Sequence, residues 1–280
     1  MKTALIAIAT NEDHYIQEWI DYYLHLGFDD IYIVQDNGWK AKVNADDRVH
    51  LSDAEDHLIF DEYQSNLYSK FFKENYKNYD WIAAFDIDEF LVLKTAKRID
   101  EFLNNYSSIP SICFHWRMFG DNNIIEVDPN NYSVINRFTK STSICSSEFK
   151  SIYNCRKIES IFGQDTLNNT DIIGIHEFRK ITIDNIQLDV LKYSVNGINI
   201  VNSSYKLKNE DEQLQACQIA YLAHYRKTFP EYVDRLSHNN SVWWKQFKKD
   251  HPDLREQFDI INPRWFNEVD NFDTVNMLRN

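Results

Sequence analysis

The chain has 280 residues and a formal charge of −13, from 43 acidic and 30 basic side chains. That balance excludes a nucleic-acid polymer as the main partner, because such binding draws its affinity from Lys and Arg neutralising phosphates; a small phosphorylated ligand stays allowed where carboxylates hold a divalent cation beside it. With 43% hydrophobic and 15% aromatic residues and only 6 Gly and 5 Pro, the sequence has the material for a packed core and little for disordered linkers.

The apolar run at the amino terminus is too short for a signal-peptide core or a membrane span, and no later run reaches the roughly 18 residues a span needs, so a cytoplasmic protein is expected. The four cysteines, Cys113, Cys145, Cys155 and Cys217, form no CxxC pair and no Cys/His zinc spacing. They are expected to be reduced, with neither a disulfide nor a structural zinc.

Ala4 to Ala9 reads as a strand, Tyr15 to Leu26 as an amphipathic helix stopped at Gly27, and Ile31 to Val34 as a second strand closed by Asp36, Asn37 and Gly38. This is a βαβ unit, and ligands of open parallel sheets sit at the carboxyl ends of such strands. The Asn-Gly pair is also a strong turn signal whatever the function. Val49 and Leu51 suggest a short third strand, and Glu62 to Tyr76 a helix. Trp81 to Phe85 is apolar throughout, as a strand covered on both faces should be, and leads directly into Asp86, Ile87, Asp88, Glu89 and Phe90. Further strands are predicted at Ser111 to Trp116, Tyr132 to Phe138, Ile172 to Ile175 and Gln187 to Tyr193, and helices at Glu210 to Ala223 and Phe229 to Lys249.

Asp86 and Asp88, placed two apart on a strand, would point the same way. Two converging carboxylates repel unless a cation sits between them, and such an oxygen site suits Mg²⁺ or Mn²⁺. With 27 aspartates, composition alone produces about 2.6 Asp-x-Asp triplets. The weight therefore lies in context: this is the only such triplet, and it follows a buried strand. Its bland reading is a pair of turn-capping aspartates.

The runs Thr10-Asn11-Glu12 with Glu18-Trp19, Gly27-Phe28-Asp29 before Asp36-Asn37, and Asp80-Trp81 leading to Asp86-Ile87-Asp88-Glu89-Phe90 resemble the bacterial family 2-like and family 92 glycosyltransferases. The resemblance is close over residues 1 to 93. It thins to His115-Trp116 with Phe119-Gly120, to Lys150, to His176, and to His224-Tyr225 with Lys227. It implies an α/β fold of the GT-A type (Rossmann-like, nucleotide-diphospho-sugar transferase) with a smaller C-terminal helical extension: a catalytic domain at 1–205, split into a nucleotide-sugar half at 1–93 and an acceptor half at 94–205, and the extension at 206–280. It further implies that Thr10, Asn11, Glu12, Asp36 and Gln64 line the nucleotide, joined by Asp86, and that Asp86, Asp88 and His224, with His176 in reserve, hold Mn²⁺ or Mg²⁺. Without the resemblance His224 reads as a structural histidine at the end of an apolar run.

The implied reaction moves a sugar from a nucleotide-sugar, a UDP-sugar by preference, to a glycan or lipid-linked acceptor in cell-surface polysaccharide or lipopolysaccharide synthesis. An inverting transfer needs a carboxylate base; Asp121 is the first candidate, Glu126 the reserve, and Asp165 a third, with a retaining course left open. His115 and Trp116 are candidate acceptor contacts, though an aromatic at a strand end also reads as core. Trp243, Trp244, Lys245, Lys248 and Lys249 form a basic aromatic cluster that would suit the inner face of a membrane, against ordinary packing and solvation. Two other readings compete: a haloacid-dehalogenase-like Mg²⁺ phosphatase with Asp86 as nucleophile, and a nucleotide-binding module without turnover.

Overall fold

The opening strand β1 (Thr3–Ala9) is buried at all positions but Ile8, and it pairs in parallel with β2 (Asp30–Gln35) on one side and β4 (Trp81–Ala84) on the other. The computed structural model describes residues 1–36, 38–54, 60–124, 132–169, 188–189, 210–228, 230–233 and 242–279. Between β1 and β2, helix α1 (Ile16–Leu26) buries Ile16, Trp19, Ile20, Tyr22, Tyr23 and Leu26, the stripe its spacing predicts. It ends where Gly27, at φ 104°, turns left-handed and returns its N–H to the Tyr23 carbonyl. Strand β3 (Val49–Asp53) extends the parallel set beyond β2, and α2 (Phe60–Asn75) leads into β4.

After β4 the sheet changes character. The chain passes through a tight turn into β5 (Glu89–Leu93), then α3 (Ile99–Asn104) and the long β6 (Ser111–Phe119). Helix α4 (Val134–Arg137) and β7 (Lys140–Ser141) precede β8 (Phe149–Asn154), which runs antiparallel between β4 and β6. Helix α5 (Cys155–Asn169), β9 (Leu188–Asp189), α6 (Glu210–Ile219) and β10 (Ala220–Tyr225) follow, then α7 (Val242–Asp250), α8 (Leu254–Ile261), β11 (Val269–Asp270) and α9 (Asp273–Arg279). Along β6, Ser111 to His115 pair with β8, and Trp116 to Phe119 pair in parallel with β10, whose other edge holds β5 antiparallel. The architecture is the mixed α/β class that the sequence implies.

Several local expectations fail for tertiary reasons. Tyr132 to Phe138 is no strand: Ser133 caps α4, its Oγ accepting the Asn136 N–H at 3.1 Å. The helix expected over Glu210 to Ala223 stops at Ile219, because the next six residues are buried between two sheet partners, β5 and β6. The segment 206–280 thus supplies strands β10 and β11 to the sheet as well as helices. Of Gln187 to Tyr193 only Leu188 and Asp189 are described, as a strand on β6; Ile172 to Ile175 lies outside the described residues. Cys145 and Cys217 are joined as a disulfide across a sequence separation of 72, while Cys113 and Cys155 are free and buried. The expectation of four reduced thiols is corrected accordingly. The pair meets because α6 packs beside residue 145, with the Cys145 N–H on the Gln213 carbonyl, a closeness that sequence spacing does not reveal.

Beyond β6, Gly120 stands against Asn267, whose amide is fixed at both ends by the Asn122 N–H at 2.8 Å and by Asp121 Oδ1 at 3.1 Å. A Cβ at position 120 would lie 2.5 Å from Asn267 Oδ1. Gly120→Ala is therefore expected to lower stability by about 1–3 kcal/mol, read as a fall in the denaturant midpoint at unchanged slope.

Candidate functional site

Parallel pairing brings the ends of β1, β2 and β4 to one edge: Ala9 lies opposite Gln35, and Ile6 opposite Ala84. Thr10, Asn11 and Glu12 leave β1 there, Asn11 in a left-handed conformation at φ 56°. Asp36 follows β2, buried, its N–H on the Ala9 carbonyl at 2.9 Å and its own carbonyl accepting from the Trp39 N–H. The Thr10 hydroxyl donates to that same carbonyl at 3.4 Å, so the β1 and β2 loops are tied together. Gln64 lies half-buried on α2, one turn before Tyr68, whose phenol is pushed up by burial and by the nearby charges of Asp86 and Glu89.

Asp86 and Asp88 are not on a strand, as expected, but in the turn joining β4 to β5, closed by the Glu89 N–H on the Asp86 carbonyl at 3.0 Å. Their placement accordingly does not come from strand alternation but from what surrounds the turn. Lys150 on β8, its side chain only 1% exposed, places Nζ 2.9 Å from Asp86 Oδ2. Glu89, fully buried, accepts the Asp86 N–H at 2.9 Å through Oε2. His224 lies opposite Glu89 in the β5–β10 ladder, with Nε2 3.7 Å from Asp88 Oδ1, and the Tyr225 N–H extends that ladder to the Asp88 carbonyl. Trp116 on β6 meets the His224 ring edge-on at 4.4 Å.

The charges divide by environment. Burial pushes Glu89 well above the usual carboxylate range, and the neighbouring Asp86 and Asp88 charges add to this against Lys150. Burial works against the Lys150 ammonium, but Asp86 and Glu89 more than offset it and its pKa is raised. Burial lowers His224, with Asp88 opposing, so the imidazole is neutral at pH 7 and has a lone pair to offer.

His115 is placed differently from the acceptor role expected of it. It is buried to 1% exposure on the β8-facing half of β6, edge-on to Phe149, with a pKa pushed down to about 4 by burial. It reads as core because the β6–β8 ladder covers it. Trp116, one residue on and half-buried, borders the site instead. Asp121 follows β6 at the same end as His224, its Oδ1 accepting the Asn123 N–H at 2.8 Å and the Asn267 amide, while Oδ2 engages no described residue. Asp165 is exposed on α5. His176 and Glu126, and the side chains of Trp243 and Trp244, lie outside the described residues; on α7, Lys245 and Lys249 are exposed and Lys248 is half-buried.

Sequence reasoning missed a second polar cluster beside the site. Lys227, three residues after His224, clasps both oxygens of Glu12 at 2.9 and 3.2 Å. Glu231 joins Tyr15, Arg137 at 2.8 Å and the Thr228 hydroxyl at 2.7 Å. These pairs bind the start of α1 to the chain after β10 across more than 200 residues. No local pattern could have shown them.

Two carboxylates and a neutral imidazole are the right donors in kind for Mg²⁺ or Mn²⁺. The His224 Nδ1 atom is buried without a hydrogen-bond partner among the described residues, while Nε2 faces Asp88. Among those residues, however, no three His, Cys, Asp or Glu side chains are gathered so as to hold an ion by themselves. Were a cation held here, an oxygen-rich ligand would have to supply part of its coordination sphere.

The family model described as glycosyltransferase family 92 matches residues 71–269, a span that includes the turn, Lys150 and His224. The match begins inside α2, whereas the resemblance read from the sequence was closest over residues 1–93. No curated protein matches the chain. Among solved structures, the crystal structure of HddC from Yersinia pseudotuberculosis is similar at 9% identity, covering 68% of this chain and 89% of that one, with a TM-score of 0.31. Among the described residues, no helix is long and apolar enough to cross a membrane.

Proposed function

The chain belongs to glycosyltransferase family 92, and from that premise we propose that it transfers a sugar from a UDP-sugar to a glycan or lipid-linked acceptor with the help of Mn²⁺ or Mg²⁺. It is a glycosyltransferase with an α/β fold of the GT-A-like class. The phosphatase and the turnover-free binding module considered from sequence give way to that membership. The observation that carries the finer reading is the turn after β4: it sets Asp86 and Asp88 at the carboxyl edge of the parallel strands, and β10 brings His224 to 3.7 Å from Asp88.

In this reading Asp88, His224 and the Oδ1 edge of Asp86 hold the cation, which as a Lewis acid stabilises the departing diphosphate. Thr10, Asn11, Glu12, Asp36 and Gln64 line the nucleotide, and the buried Asp36 is fixed by both neighbouring strands. Trp116 flanks the acceptor side. Asp121 is our choice of base, since Oδ1 is anchored and Oδ2 can take a hydroxyl proton. The acceptor would belong to cell-surface polysaccharide or lipopolysaccharide synthesis, met at the inner face of the membrane through the lysines of α7.

The reading is tested by thermal shift with nucleoside diphosphates, each with Mn²⁺ or with chelator. UDP with Mn²⁺ is expected to raise the melting temperature and UDP with chelator to have little effect, because a ligand stabilises the state it binds. No metal-dependent shift with any nucleoside diphosphate would overturn the donor and cation assignment.

A further inference from the structure

The cation site assigned above has a fixed positive charge built into its wall. Lys150 comes from β8, whose last ladder pair with β4 sets Ile152 against Ala83; two residues further along, Lys150 draws level with the point where β4 runs into the turn. Its other ladder partner is Phe114 of β6, so the strand is held on both sides. The side chain is 1% exposed and its Nζ lies 2.9 Å from Asp86 Oδ2. A side chain so enclosed cannot swing into solvent when a cation arrives without breaking its ion pair with Asp86, which is costly. One carboxylate oxygen of Asp86 is therefore already engaged by Lys150.

We infer that Lys150 is a positioning residue that keeps the Asp86–Asp88 site deliberately weak for a bare cation, so that Mn²⁺ is held firmly only when the diphosphate of the nucleotide supplies the missing oxygens and negative charge. The inference rests on the proposed donor and cation site. Lys150 repels a second cation at short range with little water between to screen it. A site built this way admits the metal together with the donor and lets it go once the nucleoside diphosphate departs.

The test is the affinity of the intact chain for Mn²⁺, measured from the electron paramagnetic resonance signal of free Mn²⁺, with and without UDP. Wild type is expected to bind Mn²⁺ alone at least about tenfold more weakly than with UDP. Lys150→Met, which keeps the length of the side chain and removes its charge, is expected to bind Mn²⁺ alone about tenfold more tightly than wild type, so that UDP adds less. A merely structural lysine predicts the opposite direction or no change. Should Lys150→Met not fold by circular dichroism, Lys150→Gln keeps a hydrogen-bond donor toward Asp86 without the charge and carries the same expectation. If a folded variant binds Mn²⁺ alone no more tightly than wild type, while Asp88→Asn still abolishes the UDP-dependent binding, the inference about Lys150 is overturned and the site stands. If wild type shows no UDP-dependent Mn²⁺ binding at all, the site itself is overturned and the inference with it.

Discussion

Asp88→Asn is expected to cut transfer by about 100- to 1000-fold, the loss typical of removing one electrostatic contact to charge that develops in the transition state, while leaving the fold nearly untouched. The carboxylate lies 3.7 Å from His224 Nε2 on β10, and the Asp88 backbone carbonyl accepts the Tyr225 N–H at 2.9 Å. Asparagine has the same shape and keeps that carbonyl, so stability should change by less than about 1 kcal/mol. In the proposed site, what is lost is the charge that would bind the cation and, with it, the stabilisation of the leaving diphosphate. The measurement is UDP release from a panel of UDP-sugars at saturating Mn²⁺, set beside the melting temperature of the same sample. Full turnover in a folded Asp88→Asn protein would remove Asp88 from the cation site.

The largest stability effect is expected from Trp19→Ala. Among the described residues, strand β5 has a sheet partner on one edge only, β10. Its backbone is also hydrogen-bonded by side chains of α1: Trp19 Nε1 and the Tyr23 hydroxyl both donate to the Glu89 carbonyl, at 3.0 and 2.9 Å, the Leu91 N–H donates to the Tyr23 hydroxyl, and the Tyr22 hydroxyl donates to the Leu91 carbonyl. Trp19 is fully buried and its ring centroid lies 4.7 Å from that of Tyr23. Truncation removes a large aromatic from the core and leaves a cavity, at a cost of about 3–5 kcal/mol, or roughly 10 °C in melting temperature for a chain of this size. Trp19→Phe refills most of the volume and loses one hydrogen bond, so it should cost only about 1–2 kcal/mol. Because β5 begins at Glu89, which closes the turn bearing Asp86 and Asp88, Trp19→Ala should also weaken UDP-dependent Mn²⁺ binding. Equal losses for the two variants would show that packing at position 19 is not what secures β5.

The effects of Asp88 and Trp19 show two different kinds of legibility. Trp19 belongs to a 3.6-residue apolar stripe, and that stripe is visible in the letters alone. So are the strands β1 and β4, largely buried on both faces, the apolar middle of β2, and the αL stop at Gly27. Local sequence therefore determined the parallel half of the sheet, the edge at which its strands end and the two aspartates that stand there. Burial on both faces leaves a signal at every position, and the order of strand and loop along the chain sets which end is which.

Everything that turns those aspartates into a site was decided by tertiary structure. Lys150 reaches Asp86 across 64 residues, and His224 reaches Asp88 because β10 inserts between β5 and β6. The segment carrying it reads as the tail of a helix, since an apolar run of six residues fits either period until its neighbours are known. The Cys145–Cys217 bond, the Glu12–Lys227 pair and the burial of His115 were hidden for the same reason. Ladder register and long-range packing bring together residues whose separation along the chain holds no periodicity, and an isolated lysine, histidine or cysteine reads the same in sequence whether it ends in solvent, in the core or against a carboxylate.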